Sequence, residues 1–383
     1  MSRTLLGFWL MLLTGNLFGS EILVNVNLFT GYSIQTLEME QAEGRYLVVQ
    51  DGNELTTLAL GTPVTFRIAG SHIEMIEGDT VVHRGRVFHI AGIGLYNSFL
   101  LRAGHHEQRH YDDHLILEAH GGAIRMTNHV ELEKYVAGVI QAEAGGSTRN
   151  VEYFMVQAMV CRTYAMRLIM QHGVRHRLTD DVSNQVYKGK PVTPEVIEAV
   201  QRTTGQVILH DDSSLINAVF HSNSGGFTMA SEDVWQSSLP YLRPVVDTFA
   251  IGQRNYTWTH RMPVVEWVNY LSSQWNFPIQ NDSLKHLALN YSPESRQRYF
   301  LHNIPLTHIR RDLRLKSTFF EIELDHDEVV FHGRGFGHGV GLSQEGGIRM
   351  ADLGYSAYEI LQFYYAGVHI RSLNELQLIA SVE

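Results

Sequence analysis

The chain has 383 residues, 44% hydrophobic and 18% charged, with a formal net charge of −10 and a single cysteine. This ordinary globular mixture excludes a disordered chain and a polytopic membrane protein, and its length allows two or three units with proper cores. The acidic balance argues against nucleic-acid binding, one Cys forms neither an internal disulfide nor a Cys-rich zinc module, and the 21 histidines raise a metal question.

Arg3 precedes an uncharged apolar run of 14 residues, 5–18, followed by Gly19 and Ser20. That pattern predicts a secretory signal peptide over residues 1–20. The run is shorter than the roughly 18 residues of a spanning helix. Phe18 and Leu17 are large for a cleavage site, so an uncleaved membrane anchor is the alternative. Either way the expected location is exported, in the periplasm or cell envelope.

Residues 22–118 read as β-rich: short β-branched or aromatic runs separated by Gly and Asp-Gly punctuation. Two runs flanking Gly121-Gly122 predict a hairpin. A helix is expected over 129–143, with Asn128 and Glu131 spaced as a capping box. Its apolar stripe is Leu132, Tyr135, Val136, Val139 and Ile140, and Glu143 continues that stripe. A second helix starts near 147–150 and buries Phe154, Ala158, Cys161, Ala165 and Leu168, with Gln157 in that face and Arg162 at its edge. Thr193-Pro194 opens a helix that stops at Gly205. Residues 206–210 and 215–220 read as a strand pair running into His221-Ser222-Asn223-Ser224-Gly225-Gly226. A helix follows over 263–276, then a strand over 328–331, a glycine loop over 333–341 and a helix from Ser343. Ser356 and Glu359 form another capping box.

Among candidate chemical groups, Glu143 stands out. A carboxylate on an apolar stripe is unexpected unless its neighbours satisfy it. Partial desolvation there favours the protonated form and suits a general acid; the alternative is a frayed, solvated helix end. The glycine loop lacks both the Walker Lys and G-x-G-x-x-G spacing. It implies close backbone approach, either to a ligand or to the chain's own backbone. His338 within it is a donor to ligand or a structural histidine. The His221 segment offers hydroxyls but no nucleophile elbow. His106, His110 and His114 recur every four residues, as three zinc ligands on a helix would, yet Tyr111-Asp112-Asp113 reads as a turn and His114 begins a strand. A polar loop is the preferred reading, with no metal and no cofactor.

Six collinear segments resemble the stage II sporulation protein D (SpoIID) family of peptidoglycan lytic transglycosylases, which includes LytB-type proteins. They are residues 130–140 leading to Glu143, Gln157 to Ala165, Gln185-Val186-Tyr187-Lys188-Gly189, the His221 segment, Trp235 with Pro240-Tyr241-Leu242, and the glycine loop continuing to Gln344 and Tyr364-Tyr365-Ala366-Gly367. The resemblance covers roughly residues 109–371. It implies an α+β fold, a mixed sheet core with helices packed around a substrate cleft. The implied organisation is a signal peptide at 1–20, a β-rich region at 21–108 and a catalytic domain at 109–383.

The resemblance also implies that Glu143 is the catalytic acid, cleaving the MurNAc–GlcNAc bond of peptide-stripped glycan strands to leave 1,6-anhydroMurNAc ends. Arg162, Gln157, His221, Ser222, Ser224, His338 and Gln344 match positions lining or bracing the cleft. The implied partners are peptidoglycan strands and a cell-wall amidase, with a membrane only through an uncleaved N-terminal segment. A non-catalytic wall-binding protein that stimulates the amidase is the rival, and a histidine metallohydrolase a third reading. Two departures are visible: Ala144-Gly145 stands where the family often has Met-Pro, and one extra residue separates Glu143 from Arg162. Some relatives hold zinc with cysteines near the His221 segment, and this chain has none there.

Overall fold

The β-branched runs of the first third form strands whose side chains alternate between a buried and an open face. They belong to a computed structural model that describes residues 22–235 and 237–375. The expected signal segment at 1–20 lies outside the described residues. No described helix is long and apolar enough to cross a membrane. By its contacts the chain divides into two units, one from the residues up to Glu143 with Leu168–Thr193, the other from Ala144–Arg167 with Pro194–Glu383.

In the first unit a seven-stranded sheet runs, in spatial order, Arg177–Thr179, Leu23–Leu28, Ala123–Glu131, His114–His120, Val87–Gly92, Tyr46–Gln50, Asn53–Thr57. A six-stranded sheet runs Arg109–Asp112, Ser98–Ala103, Thr36–Glu43, Pro63–Ala69, His72–Glu77, Thr80–Gly85. Rings from the two sheets meet edge to face, Phe66 with Phe88 at 5.5 Å and Tyr46 with Phe99 at 5.9 Å, and all four are fully buried. The expected Gly121-Gly122 hairpin is present, His114 pairing with His129 and His120 with Ala123. The strands Ser98–Ala103 and Arg109–Asp112 pair across residue 108, so the segments on either side of it share this unit.

Helix α1, Leu132–Glu143, begins three residues later than the spacing predicts, because the preceding strand runs to Glu131. The expected cap is therefore corrected. Asn128 is fully buried in the strand, and its amide donates to the carbonyls of Asp112 and His114. Glu131 caps instead, accepting from the Lys134 N–H at 3.0 Å. The expected stripe is buried as read, together with Ala137 and Gly138. Helix α2, Val151–His172, passes from the second unit to the first between Arg167 and Leu168.

The second unit continues with α3, Pro194–Arg202. The strand Gln206–His210 pairs with Val368–Ser372, not along 215–220, to which it is joined only by the turn and one Leu209–Leu215 bridge. Helix α4 is the single turn Glu232–Trp235. A three-stranded sheet, Thr257–Pro263, Glu328–Arg334 and Phe320–Asp325, packs with α5 (Val264–Trp275), α6 (Asp282–Leu289) and α7 (Leu306–Asp312) around Trp258, Trp267, Phe300, Phe320 and Phe331. Helix α8, Gln344–Asp352, starts on Ser343 as expected, and α9, Ala357–Tyr364, carries the full Ser356–Glu359 capping box. The fold is α+β with several sheets, as the resemblance implies.

Candidate functional site

Glu143 is the last residue of α1 and is half-buried, which follows from its place one step beyond Ile140 on the buried stripe. Its Oε1 accepts the Val186 N–H at 3.0 Å. That donor is held by its neighbours. Tyr187 is buried and donates its hydroxyl to Asn128 Oδ1 at 2.9 Å, while Tyr135 donates to Gln185 Oε1 at 3.2 Å. Gly138 on α1 lets the segment come this close, since a Cβ there would meet the Tyr187 ring at 2.5 Å. Gln185 is buried, and its Nε2 has no hydrogen-bond partner. The sequence reading used Gln185 as a motif residue and missed this amide donor one position from the carboxylate's partner.

The second unit joins the remaining candidates through a two-residue parallel ladder, Phe220 beside Leu342 and His221 beside Ser343. The Glu345 N–H donates to Ser222 O, and Asn255 Nδ2 donates to Ser222 Oγ at 3.1 Å. Ser224 is fully buried, and its hydroxyl donates to Asp247 Oδ2 at 2.7 Å. Burial raises the Asp247 carboxyl while this donor opposes the shift. Arg296 Nη1 donates to the carbonyls of Ser224 and Phe227. Asp247, Glu345 and Arg296 were not selected from the sequence.

His221 is buried, with Nδ1 at 3.1 Å from the Val340 carbonyl. A carbonyl only accepts, so Nδ1 carries the proton and Nε2 keeps its lone pair; Nε2 is buried without a partner. Burial, and then the neighbouring His338, hold the ring's pKa well below the usual imidazole value. His338 is half-buried; its Nε2 reaches Phe220 O at 2.9 Å and its Nδ1 accepts from Val340 N–H, which fixes a neutral ring. Burial pushes it down to about 4. The rings of Trp235, His338 and His221 follow one another at 4.9 and 5.4 Å, and Trp235 is 40% exposed.

Gln157 and Arg162 lie on α2, and both are fully buried. Arg162 is thus corrected from edge to interior; its Nη1 donates to the Gln206 carbonyl at 2.9 Å, which draws the guanidinium inward. Gln157 Oε1 accepts from Tyr153, and Gly347, one turn after Gln344, packs on the Tyr153 ring. The Nε2 atoms of Gln157 and Gln344 are buried without partners, as is His221 Nε2. Buried polar atoms are normally paired, so each of these three nitrogens is a candidate ligand contact, as are Tyr291 OH and Arg296 Nε in the same unit.

The glycine loop resolves toward its internal reading. Gly335 and Gly337 have φ of 81° and 114°. A Cβ at Gly335 would stand 2.7 Å from the Asn223 carbonyl, and one at Gly337 would stand 2.7 Å from His221 Cβ. The close approach is to the chain's own 221–225 segment.

The three spaced histidines do not converge. His106 packs on Phe29 and Tyr32, His110 Nε2 meets Ser98 Oγ, and His114 Nδ1 accepts from Gly92 N–H. Among the described residues no group of three or more His, Cys, Asp or Glu side chains is placed to hold a metal ion. The His221 lone pair lacks companion ligands there, so the residues do not fit a relative's zinc.

Residues 120–210 match the family model described as SpoIID, Stage II sporulation protein. The stage II sporulation protein D of Bacillus subtilis is 28% identical over 268 residues, 65% of this chain and 76% of that protein. An uncharacterized protein of Brachyspira hyodysenteriae is 30% identical over 265 residues, 66% of this chain and 69% of that protein. The chain belongs to the SpoIID family. The SpoIID-matched segment holds Glu143, Gln157, Arg162 and Gln185, while His221, Ser222, Ser224, His338 and Gln344 lie beyond it. A further relative, the Bacillus subtilis protein named Amidase enhancer, is 27% identical over 300 residues, 61% of this chain and 40% of that protein.

Proposed function

We propose that this SpoIID-family protein is a peptidoglycan lytic transglycosylase of the cell envelope, with Glu143 as its single acid and base. The observation that carries this reading is the half-buried Glu143 carboxylate, oriented by the Val186 N–H inside the family-matched segment. In the proposed step Glu143 gives its proton to the glycosidic oxygen as the bond from the muramic anomeric carbon breaks. The muramic 6-hydroxyl then attacks that carbon and its proton returns to Glu143. No water is consumed, and one carboxyl serves where a hydrolase uses two. Gln157, Arg162, His221, Ser222, Ser224, His338 and Gln344 are assigned to binding or bracing the glycan; the unpartnered amide and imidazole nitrogens supply the polar contacts.

The test is the product mass spectrum from peptide-stripped glycan. Anhydro ends, lighter by one water than hydrolytic ends, are expected from the native protein and absent with Glu143→Gln. Equal product from both proteins removes Glu143 as catalyst.

The similarity to a protein named Amidase enhancer favours a second reading, a wall-binding protein that stimulates an amidase. There Glu143→Gln leaves stimulation intact and glycan alone stays uncut.

A further inference from the structure

Four large apolar side chains of the first unit stand in the open: Ile93 at 45% exposure, Leu95 at 72%, Tyr96 at 81% and Val174 at 76%. We propose that the end of the seven-stranded sheet bearing them is a bilayer-contacting surface, independent of the glycan chemistry.

Strand register sets these residues along one end of the sheet, with Val174 four strand spacings, about 19 Å, from Ile93. Tyr46 pairs with Gly92, Ile90 with Leu115, His114 with His129, Glu131 with Leu23, and Asn25 with Arg177. Extending each ladder by up to three residues puts Arg45, Ile93, Leu23 and Val174–Arg175 along one end of the sheet, where residues 93–96 form the connecting loop. The loop is braced. Ile93 N–H donates to Arg45 O at 2.8 Å, Asn97 Nδ2 donates to Gly94 O at 2.8 Å, and Arg45 N–H donates to Asn97 Oδ1 at 3.1 Å. A fixed loop that holds Leu95 and Tyr96 in water gains nothing from their exposure, and exposed apolar groups gathered on one loop, here Ile93, Leu95 and Tyr96, mark an interaction surface.

The occupant is selected by what enters at the same end. Leu23 opens the edge-proximal strand there, and the sequence places the apolar run 5–18 only four residues upstream of it. Four residues reach at most about 14 Å. Ile93 lies three strand spacings from Leu23, also about 14 Å. With the run retained as the uncleaved anchor, a bilayer that takes it up is within reach of the loop. Exposed Arg45 and Arg175 flank the apolar group, as suits anionic phospholipid headgroups, and an exposed tyrosine suits the membrane interface. A second contact adds buried apolar area to the attachment and fixes which face of the unit meets the bilayer.

The single native cysteine, Cys161, is buried, so the full chain with Leu95→Cys has one accessible thiol for an environment-sensitive fluorophore. His120→Cys, exposed beside the hairpin turn at the opposite end of the same sheet, is the comparison. With vesicles of phosphatidylethanolamine and phosphatidylglycerol, the label at 95 is expected to shift to the blue and gain intensity while the label at 120 does not. No response at 95, or equal responses at both, overturns the proposal. A label at 95 that responds to protein concentration and not to vesicles assigns the surface to a second copy of the chain and overturns it as well.

Discussion

His221 illustrates how a single side chain ties scaffold to site. Its Nδ1 proton is committed to the Val340 carbonyl, its Cβ faces Gly337, and its Nε2 is left buried and open. Replacing Gly337 with Ala forces a φ near 114° on an L-residue and drives its Cβ onto His221. The expected cost is roughly 1–3 kcal/mol, read as a lower urea midpoint; an unchanged midpoint means the loop does not pack on His221. At this scale the sequence was informative where a residue type clashed with its pattern. Glu143 and Gln157 each break an apolar helix face, and the structure gives Glu143 a backbone donor and leaves a Gln157 nitrogen without a partner. Arg296 and Asp247 break no pattern, because they sit in irregular segments. Their partners, 72 and 23 residues away at Ser224, exist only once the chain has closed.

Elements with their signals inside a few residues were legible. The Ser356–Glu359 box, the Ser343 start of α8, the Gly121-Gly122 hairpin and α5 stand where the spacing put them. Those whose partner is distant were not. The strand Gln206–His210 has a local candidate after its turn, yet pairs with Val368–Ser372, and Asn128 looks like a cap until two neighbouring strands bury it. The helices α5 to α7 show what burial adds to such elements. Trp267 on α5 is fully buried, touches Phe300 and Phe331, and donates its indole N–H to the Ala288 carbonyl at 3.0 Å. Trp267→Ala is expected to destabilise this part of the second unit by about 3–5 kcal/mol. The check is a lowered thermal transition in calorimetry; a wild-type transition would place the indole outside the core.

Across the whole molecule three histidines that lose solvent on folding set an acid limit. His129 in the first unit and His338 in the second are pushed down to about 4, chiefly by burial, and His221 is held well below the ordinary 6.5. In each case the unfolded chain takes up the proton at the higher pH. As pH falls from about 6.5 toward about 4 the unfolded state therefore binds more protons, and stability drops. Urea midpoints at the two ends of that window are expected to differ, and His338→Gln is expected to flatten the profile. A profile that His338→Gln leaves unchanged would mean that carboxylates alone cause the acid loss. The interleaving of the two units has a consequence for biosynthesis. The strand Leu23–Leu28 has its parallel neighbour, Arg177–Thr179, about 150 residues downstream, beyond a stretch of 24 residues that belongs to the other unit. During synthesis the first unit stays incomplete while the opening of the second is being made, so no stop between residues 144 and 176 releases a finished module.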